Sequence, residues 1–391
     1  MTSKNFVSTV FIAAFAASVH AAPMAAKGPV ATVEKAGAER ITVSLELPAG
    51  AYQRTLARNL ELSGWFKVGR DGSIKISGTP GVSVVARGRG TQVAAKTPFT
   101  DDRSARMAAR KFSDAVVAAF SEGGKGYAMT RIAFVNRKGP DNAELYTCYP
   151  DGQDIRQLTS DKCAAVGPRW APNNRDIYYT GFLQKFGNVY RIDSDTGHRN
   201  ALAPFKGTAT GGAISPDGTK CAIVLSYQGN PELYVLDLAT KRVERMTTTK
   251  AAAEASPCWS PDGRRIAYVS DETRHPQVYI IDVATRKKIR FTGKGTENTN
   301  PDWSLDGKLC WASKRAGQTV IMVAPVSGGE GAAREATSPG TWEHPSWAAD
   351  SRHIVASRDK ALFIVDSDPD GDKPVQIFHN QGNWMNPAFS R

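Results

Sequence analysis

The chain has 391 residues, 41% of them hydrophobic, and a formal net charge of +12. That length and apolar content exclude a disordered chain and leave room for two domains with sizeable cores. Its five cysteines (Cys148, Cys163, Cys221, Cys258, Cys310) exclude a disulfide-stapled scaffold, and its basic residues are scattered rather than gathered into the stripe that nucleic-acid binding needs. A basic exported surface attracted to anionic envelope polymers fits better.

The chain opens with Lys4, an apolar run from Phe6 to Val19 and the small-residue stretch Val19-His20-Ala21-Ala22, which reads as a secretory signal over residues 1–21. An uncleaved anchor is the alternative, but about 14 apolar residues fall short of the roughly 20 that span a bilayer. No later segment is a candidate span. Residues 22–38, rich in Ala, Gly and Lys without a sustained period, read as a flexible arm. Residues 39–126 form a small α/β domain: a strand over Ile41 to Pro48, a helix over Ala51 to Ser63 stopped by Gly64, strand-like runs at Ile74 to Ile76 and Val82 to Ala86, and a helix from Asp101 to Phe120. Asp101 or Asp102 caps that last helix, and Met107, Phe112, Val116 and Phe120 form its apolar stripe. Arg87-Gly88-Arg89-Gly90 lacks a following helix to act as a phosphate cradle and reads as a hairpin tip.

From residue 127 onward a unit typified by PCWSPDGRRIAYVS (Pro257 to Ser270) recurs. Trp170, Ile214, Trp259, Trp303, Trp347 and Phe389 hold one slot at intervals in the low forties. Such a period built of short strands and turns predicts a β-propeller with one four-stranded blade per repeat, six in all, so the fold class is mainly β with a small N-terminal α/β domain. The first blade begins at Arg131 without its own inner strand. The C-terminal segment from Trp384 supplies it and closes the ring. Pro-Asp-Gly at 216–218 and 261–263 turns the chain between first and second strands, and Asp-x-x-Thr at 237–240 and 282–285 between third and outer strands. Recurrence of the aromatic in nearly every blade is what packing between blades demands, so Trp170, Trp259, Trp303, Trp347 and Phe389 are structural. Cys221 and Cys310 take the slot that Ile266 fills and face the core. Cys148 and Cys163 lie close enough in sequence for a bridge, which spacing alone does not decide.

Chemistry is sparse. There is no GxSxG elbow and no HExxH; His198, His275, His344, His353 and His379 are isolated from one another. The residues before the repeat aromatic, Arg169, Ala213, Cys258, Asp302, Ser346 and Ala388, make no ring of like donors. The run Asp366 to Asp372 lacks the Glu that closes a calcium loop and reads as an acidic turn. No catalytic residue, metal or cofactor is expected. What varies between blades is the loop entering each inner strand, over residues 206–210, 251–256, 296–300, 341–344 and 381–386. These loops converge on one channel mouth and carry Glu254, Glu297, Asn298, Asn300, Glu343, His344, Asn383 and Asn386, a polar, partly acidic rim suited to gripping a partner.

Three stretches resemble the TolB family of periplasmic Tol-Pal components. ARNLELSGWFKV (Ala57 to Val68) is similar to a helix and following segment of that family's N-terminal domain. RMAARKFSDAVVAAFSEGGKGYAMTRIAFV (Arg106 to Val135) is similar to its last helix, Gly-rich junction and first propeller strand, and the WSPDG repeats are the third. The resemblance implies an α/β domain followed by a six-bladed propeller, binding of the Pal lipoprotein at the channel mouth and engagement of TolA by the N-terminal arm. By position it assigns Thr208, Glu254, Glu297, Asn300 and His344 to the Pal-facing loops. The expected protein is therefore a monomeric, non-enzymatic periplasmic scaffold that binds no nucleic acid. An exported propeller enzyme and a peptidoglycan- or carbohydrate-binding module are the alternatives.

Overall fold

A computed structural model describes residues 40–184, 186–205, 207–226, 229–378 and 382–391. The expected signal (1–21), the arm (22–38), Lys206, His379 and Gln381 lie outside the described residues. The N-terminal domain is a five-stranded sheet with two helices on one face. Its strands are β1 (Ile41–Glu46), β2 (Phe66–Val68), β3 (Ile74–Thr79), β4 (Ser83–Gly88) and β5 (Thr91–Lys96), in the order β2-β1-β3-β4-β5. β1 runs parallel to both of its neighbours and the others pair antiparallel. Helices α1 (Ala51–Leu62) and α2 (Asp102–Phe120) bury Leu56, Leu60, Phe112 and Val116 against Val43, Ile74, Ile76 and Val84. Of the two candidate caps the structure selects Asp101: the Ser104 amide donates to its carboxylate at 2.7 Å, and the Ser104 hydroxyl accepts from the Asp101 amide. β2 and β5 were not legible in sequence, one being three residues long and the other built of Ala, Gln and Lys, weak strand formers.

Six four-stranded sheets follow in a ring. Blade 1 is β6 (Ile132–Gly139), β7 (Asn142–Cys148) and β8 (Arg156–Gln157), completed on the inside by the C-terminal strand Trp384–Phe389. That strand runs antiparallel to β6 with Trp384 opposite Asn136 and Phe389 opposite Ile132, which is the closure the sequence predicts. Blades 2 to 6 start with inner strands at Ala165–Trp170, Ala209–Ile214, Glu254–Trp259, Glu297–Trp303 and Glu343–Trp347. The Asp-x-x-Thr turns hold as read, the Asp282 carboxylate accepting from the Thr285 amide and hydroxyl. The hydroxyl of a threonine after the outer strand accepts the third strand's amide: Thr159 from Leu145, Thr247 from Leu233 and Thr292 from Val278, each at 2.9 Å.

Each repeat aromatic packs against its own blade and the one before. Trp259 lies with Ala213 and Leu233, Trp303 with Cys258 and Ala267, and Trp347 with Cys310 and Ala312. Trp259 Nε1 donates to the Ala213 carbonyl at 2.9 Å, and Trp170 Nε1 to Ala388 at 3.0 Å, a contact that carries the pattern across the closure. A cation from the preceding second strand covers the ring in blades 2, 5 and 6: Arg131 over Trp170, Arg265 over Trp303 and Lys308 over Trp347. Cys221 stands opposite Ile214 as Ile266 stands opposite Trp259, but in blade 5 Leu309 takes that place and Cys310 falls one residue later, because the turn after Trp303 is one residue shorter. Both thiols are fully buried regardless. All five cysteines are free, so Cys148 and Cys163 are not bridged.

The N-terminal domain sits over blades 1 and 6. Arg110, with no exposed side-chain surface, is the centre of the contact: Nε and Nη2 donate to the Asp151 carboxylate at 2.8 and 3.0 Å, and Nη1 to Asp154 at 2.7 Å. Its guanidinium also stacks over Tyr149, 3.9 Å from the ring centre. Asn59 adds a bond to Asp151, Trp65 takes Arg352 over its face, and Tyr127 stacks on His353 at 4.5 Å. Asp366, at the head of the acidic run, is held by Arg352 at 2.7 Å.

Removing one partner of a buried ion pair strands the other charge at a cost of about 3–5 kcal/mol. Arg110→Ala is therefore expected to lower stability in urea by that order and to expose residues 121–130 to proteolysis, and adding Asp151→Asn and Asp154→Asn should recover part of the loss. Trp347→Ala should cost about 3–5 kcal/mol as well, since its ring is fully buried, whereas the half-buried Trp170 should cost less; equal losses at the two positions would contradict the inter-blade packing described.

Candidate functional site

The inner strands begin at the face of the ring opposite the N-terminal domain. Their first residues pair with the last residues of the second strands, Glu254 with Ser270, Glu297 with Lys314 and Glu343 with Ser357. The hairpins at 271–276, 315–317 and 358–360 consequently share this mouth with the entry loops. These hairpins lie outside the entry loops in sequence, and they change the charge of the mouth. Lys314 pairs with Glu297 at 2.9 Å, Arg358 lies 3.2 Å from Asp359, and Arg315 adds a further cation. The rim is mixed rather than acidic.

The proposed rim residues fall into three groups. Thr208, Glu297, Glu343 and Asn383 are half-buried at the mouth itself. The Asn383 carbonyl accepts from the Arg137 amide at 2.9 Å, and the Thr208 carbonyl from Ser226 at 3.1 Å, so the backbone is fixed while both side chains remain at the surface. Burial raises the Glu343 carboxyl above its usual range.

Glu254 and Asn298 are corrections, because both are fully buried. Asn298 is spent on structure: Nδ2 donates to Gln277 Oε1 and the Lys294 carbonyl, each at 2.8 Å, and Oδ1 accepts from Trp311 Nε1 at 2.9 Å. Thr292 donates to the same Gln277 oxygen, so Asn298 ties blade 4 to blade 5. Glu254 lies between blades 3 and 4, one oxygen 3.4 Å from the Ser270 hydroxyl and the other without a partner.

Asn300, His344 and Asn386 belong to a feature repeated in all six blades. Three residues before the repeat slot held by Trp170, Ile214, Trp259, Trp303, Trp347 and Phe389, each inner strand carries a bulge whose residue has positive φ: Gly167 (59°), Gly211 (82°), Ser256 (49°), Asn300 (52°), His344 (52°) and Asn386 (50°). Asn, His and Gly are the residues that tolerate this region. Gly211 has a second reason, as a Cβ there would meet Pro257 of the next blade at 3.1 Å. The six residues form a collar around the axis, with Asn300 Nδ2 3.4 Å from Ser256 Oγ of the neighbouring blade. The sequence signal was present: five of the six are followed by proline and all keep the same distance from the repeat slot. His344 is held near a pKa of about 4, first by burial and then by the Arg169 charge, so it is neutral at pH 7.

Below the collar the ring is tied across its axis. Asp302 of blade 5 accepts from Arg169 of blade 2 and from Arg391, each at 3.2 Å, and its second oxygen accepts from the Ser346 hydroxyl at 3.2 Å and the Trp347 amide at 2.8 Å. Residues that form no ring of like donors thus form an ion-pair bolt instead.

A family model described as the TolB beta propeller domain matches residues 122–391. The chain belongs to this family. The solved structure of TolB from Acinetobacter baumannii is 22% identical, with a TM-score of 0.78 over 91% of this chain and 98% of that one. A structure described as putative TolB from Agrobacterium tumefaciens is 20% identical, with a TM-score of 0.53 over 66% of this chain and 92% of that one. The chain in a nidogen/laminin complex is 9% identical, with a TM-score of 0.54 over 67% of this chain and 98% of that one. These likenesses establish a shared fold. No described helix is long and apolar enough to cross a membrane, and no group of three or more potential metal ligands occurs among the described residues.

Within this TolB-family propeller Glu254 is a buried pH-sensitive group. Desolvation first, then the Glu232 charge, raise its carboxyl from 4.5 to about 8, while Lys288 opposes the shift and Asp271 adds to it. Between those values the folded chain holds a proton that the unfolded chain releases, so this residue's contribution is full below about pH 4.5 and is lost as pH rises through about 8. Glu254→Gln keeps the shape and removes the charge. Its melting temperature should match that of the parent at pH 5 and exceed it at pH 8; a constant difference across that range would show that Glu254 does not titrate in this window.

Proposed function

We propose that this chain is a non-enzymatic periplasmic scaffold of the Tol-Pal type, which grips a Pal-like lipoprotein at the propeller mouth and supports outer-membrane integrity and envelope constriction. The observation that carries this reading is the division of labour along the inner strands. The collar and the Asp302 bolt repeat or tie the ring, and the loops above them differ from blade to blade and present Thr208, Glu297, Glu343 and Asn383 on the face that the N-terminal domain leaves free. Variable loops on a rigid frame are where recognition is built. Affinity would come from an interface of roughly 1,200–2,000 Å² in total. The A. baumannii and A. tumefaciens structures carrying the TolB name support the same reading. Membership of a periplasmic family and the signal over residues 1–21 favour export, and the arm over residues 22–38 is the segment that would engage a TolA-like protein.

The experiment is co-purification from detergent extracts of the source cells. Glu297→Lys combined with Glu343→Lys should cut recovery of a Pal-like lipoprotein at least tenfold without lowering the melting temperature. Recovery at the parental level would sink the mouth as the binding face. Glu254 is unsuitable for this test because a lysine there would enter the core.

A further inference from the structure

We propose that the open edge of the N-terminal sheet, beside α2, is a second docking site, one that takes an extended acidic segment of another protein as a sixth strand. β5 is the edge strand of its sheet. Its phase is fixed at both ends. Arg89 (φ 48°) and Gly90 (φ 73°) make a two-residue hairpin, and the Thr97 amide donates back to the Val82 carbonyl directly opposite. Alternation along an antiparallel pair then turns the amides and carbonyls of Gln92, Ala94 and Lys96 away from β4. No backbone or side-chain bond to those groups occurs among the described residues. Between this edge and α2 runs a groove of about 690 Å³ whose floor includes Ala95, Met107, Phe112 and Met129, the last 39% exposed.

Charge selects the occupant. Lys96, Arg103 and Lys111 stand along the groove, all exposed. Its acid, Asp101, already accepts the helix-capping bonds from Ser104. A second copy of the chain pairing edge to edge would bring these cations against their own images, which disfavours self-association. The chain's own residues 22–39 carry Lys27 and Lys35 against Glu34 and Glu39, and so complement the rim poorly. A segment of alternating acidic and apolar residues answers all three features: backbone bonds to the edge, apolar side chains to the floor, carboxylates to the rim. β5 is six residues long, about 20 Å at strand rise, so a segment of similar length fills it.

The test is an anisotropy titration of the whole mature chain with a fluorescein-labelled decapeptide of alternating Val and Glu. Saturable binding is expected, weakened at least tenfold by Ala94→Pro, which removes an outward amide and no internal bond. Lys96→Glu with Lys111→Glu should reverse the preference toward a Val/Lys decapeptide, and unchanged melting curves would show that the variants are folded. The proposal is overturned by the absence of saturable binding, by binding indifferent to Ala94→Pro or to the charge reversal, or by self-association that Ala94→Pro abolishes in sedimentation. It is also overturned if removing residues 22–38 tightens binding tenfold, since the groove would then be filled by the chain's own arm.

Discussion

Pairing of the last strand with the first closes the ring, and everything else in the propeller presupposes it. Trp384 to Phe389 alone supplies the inner strand of blade 1, so the hydrogen bonds that make one blade complete also make the array circular. The closure is reinforced where the ends meet: Trp170 donates to Ala388, Asn174 and Arg391 exchange backbone and side-chain bonds, and Phe389 meets Tyr127 edge-on. A ring held this way transmits no slack to its axis. The collar of left-handed residues and the Asp302 bolt become possible because six inner strands arrive at fixed positions.

The two faces of the ring are put to different uses. One carries the N-terminal domain through a buried guanidinium bound by two carboxylates, a contact in which geometry and full hydrogen bonding offset the desolvation of three charges. Asp114 extends the same junction: its carboxylate caps the Ala128 and Met129 amides, and burial raises it to about 6. The opposite face carries the loops that enter the inner strands. Anchoring the accessory domain by one end of the propeller sets it apart from those loops.

Much of this was legible in the residues. Period, turn chemistry and the orphaned first repeat specify six blades and their closure, since each local signal is a backbone requirement tied to a residue type. The candidate site was legible only in part. Glu297, Glu343, Thr208 and Asn383 lie at the mouth as read, but Glu254 and Asn298 have the same polarity and come from the same loops, and they are interior. Nothing in their local sequence separates an exposed amide from one whose donors and acceptor are consumed by Gln277, Lys294 and Trp311. Likewise Asn300 and His344 read as ligand residues because their side chains are polar, whereas their places are set by a backbone conformation common to the collar.

The sequence by itself determined the repeat and the strand order within a blade, because short-range sterics and hydrogen bonding fix both within a few residues, and a first repeat lacking its inner strand left the C-terminal segment to complete it. Only the tertiary structure decided which of two aspartates caps α2, which polar side chains face water, that Arg169 reaches Asp302 across the axis, that hairpin cations make the rim mixed in charge, and that Arg110 bolts two domains together. Those outcomes depend on side chains from different strands, hairpins and blades meeting in space, where burial, rather than residue type, sets what a charge or an amide is worth.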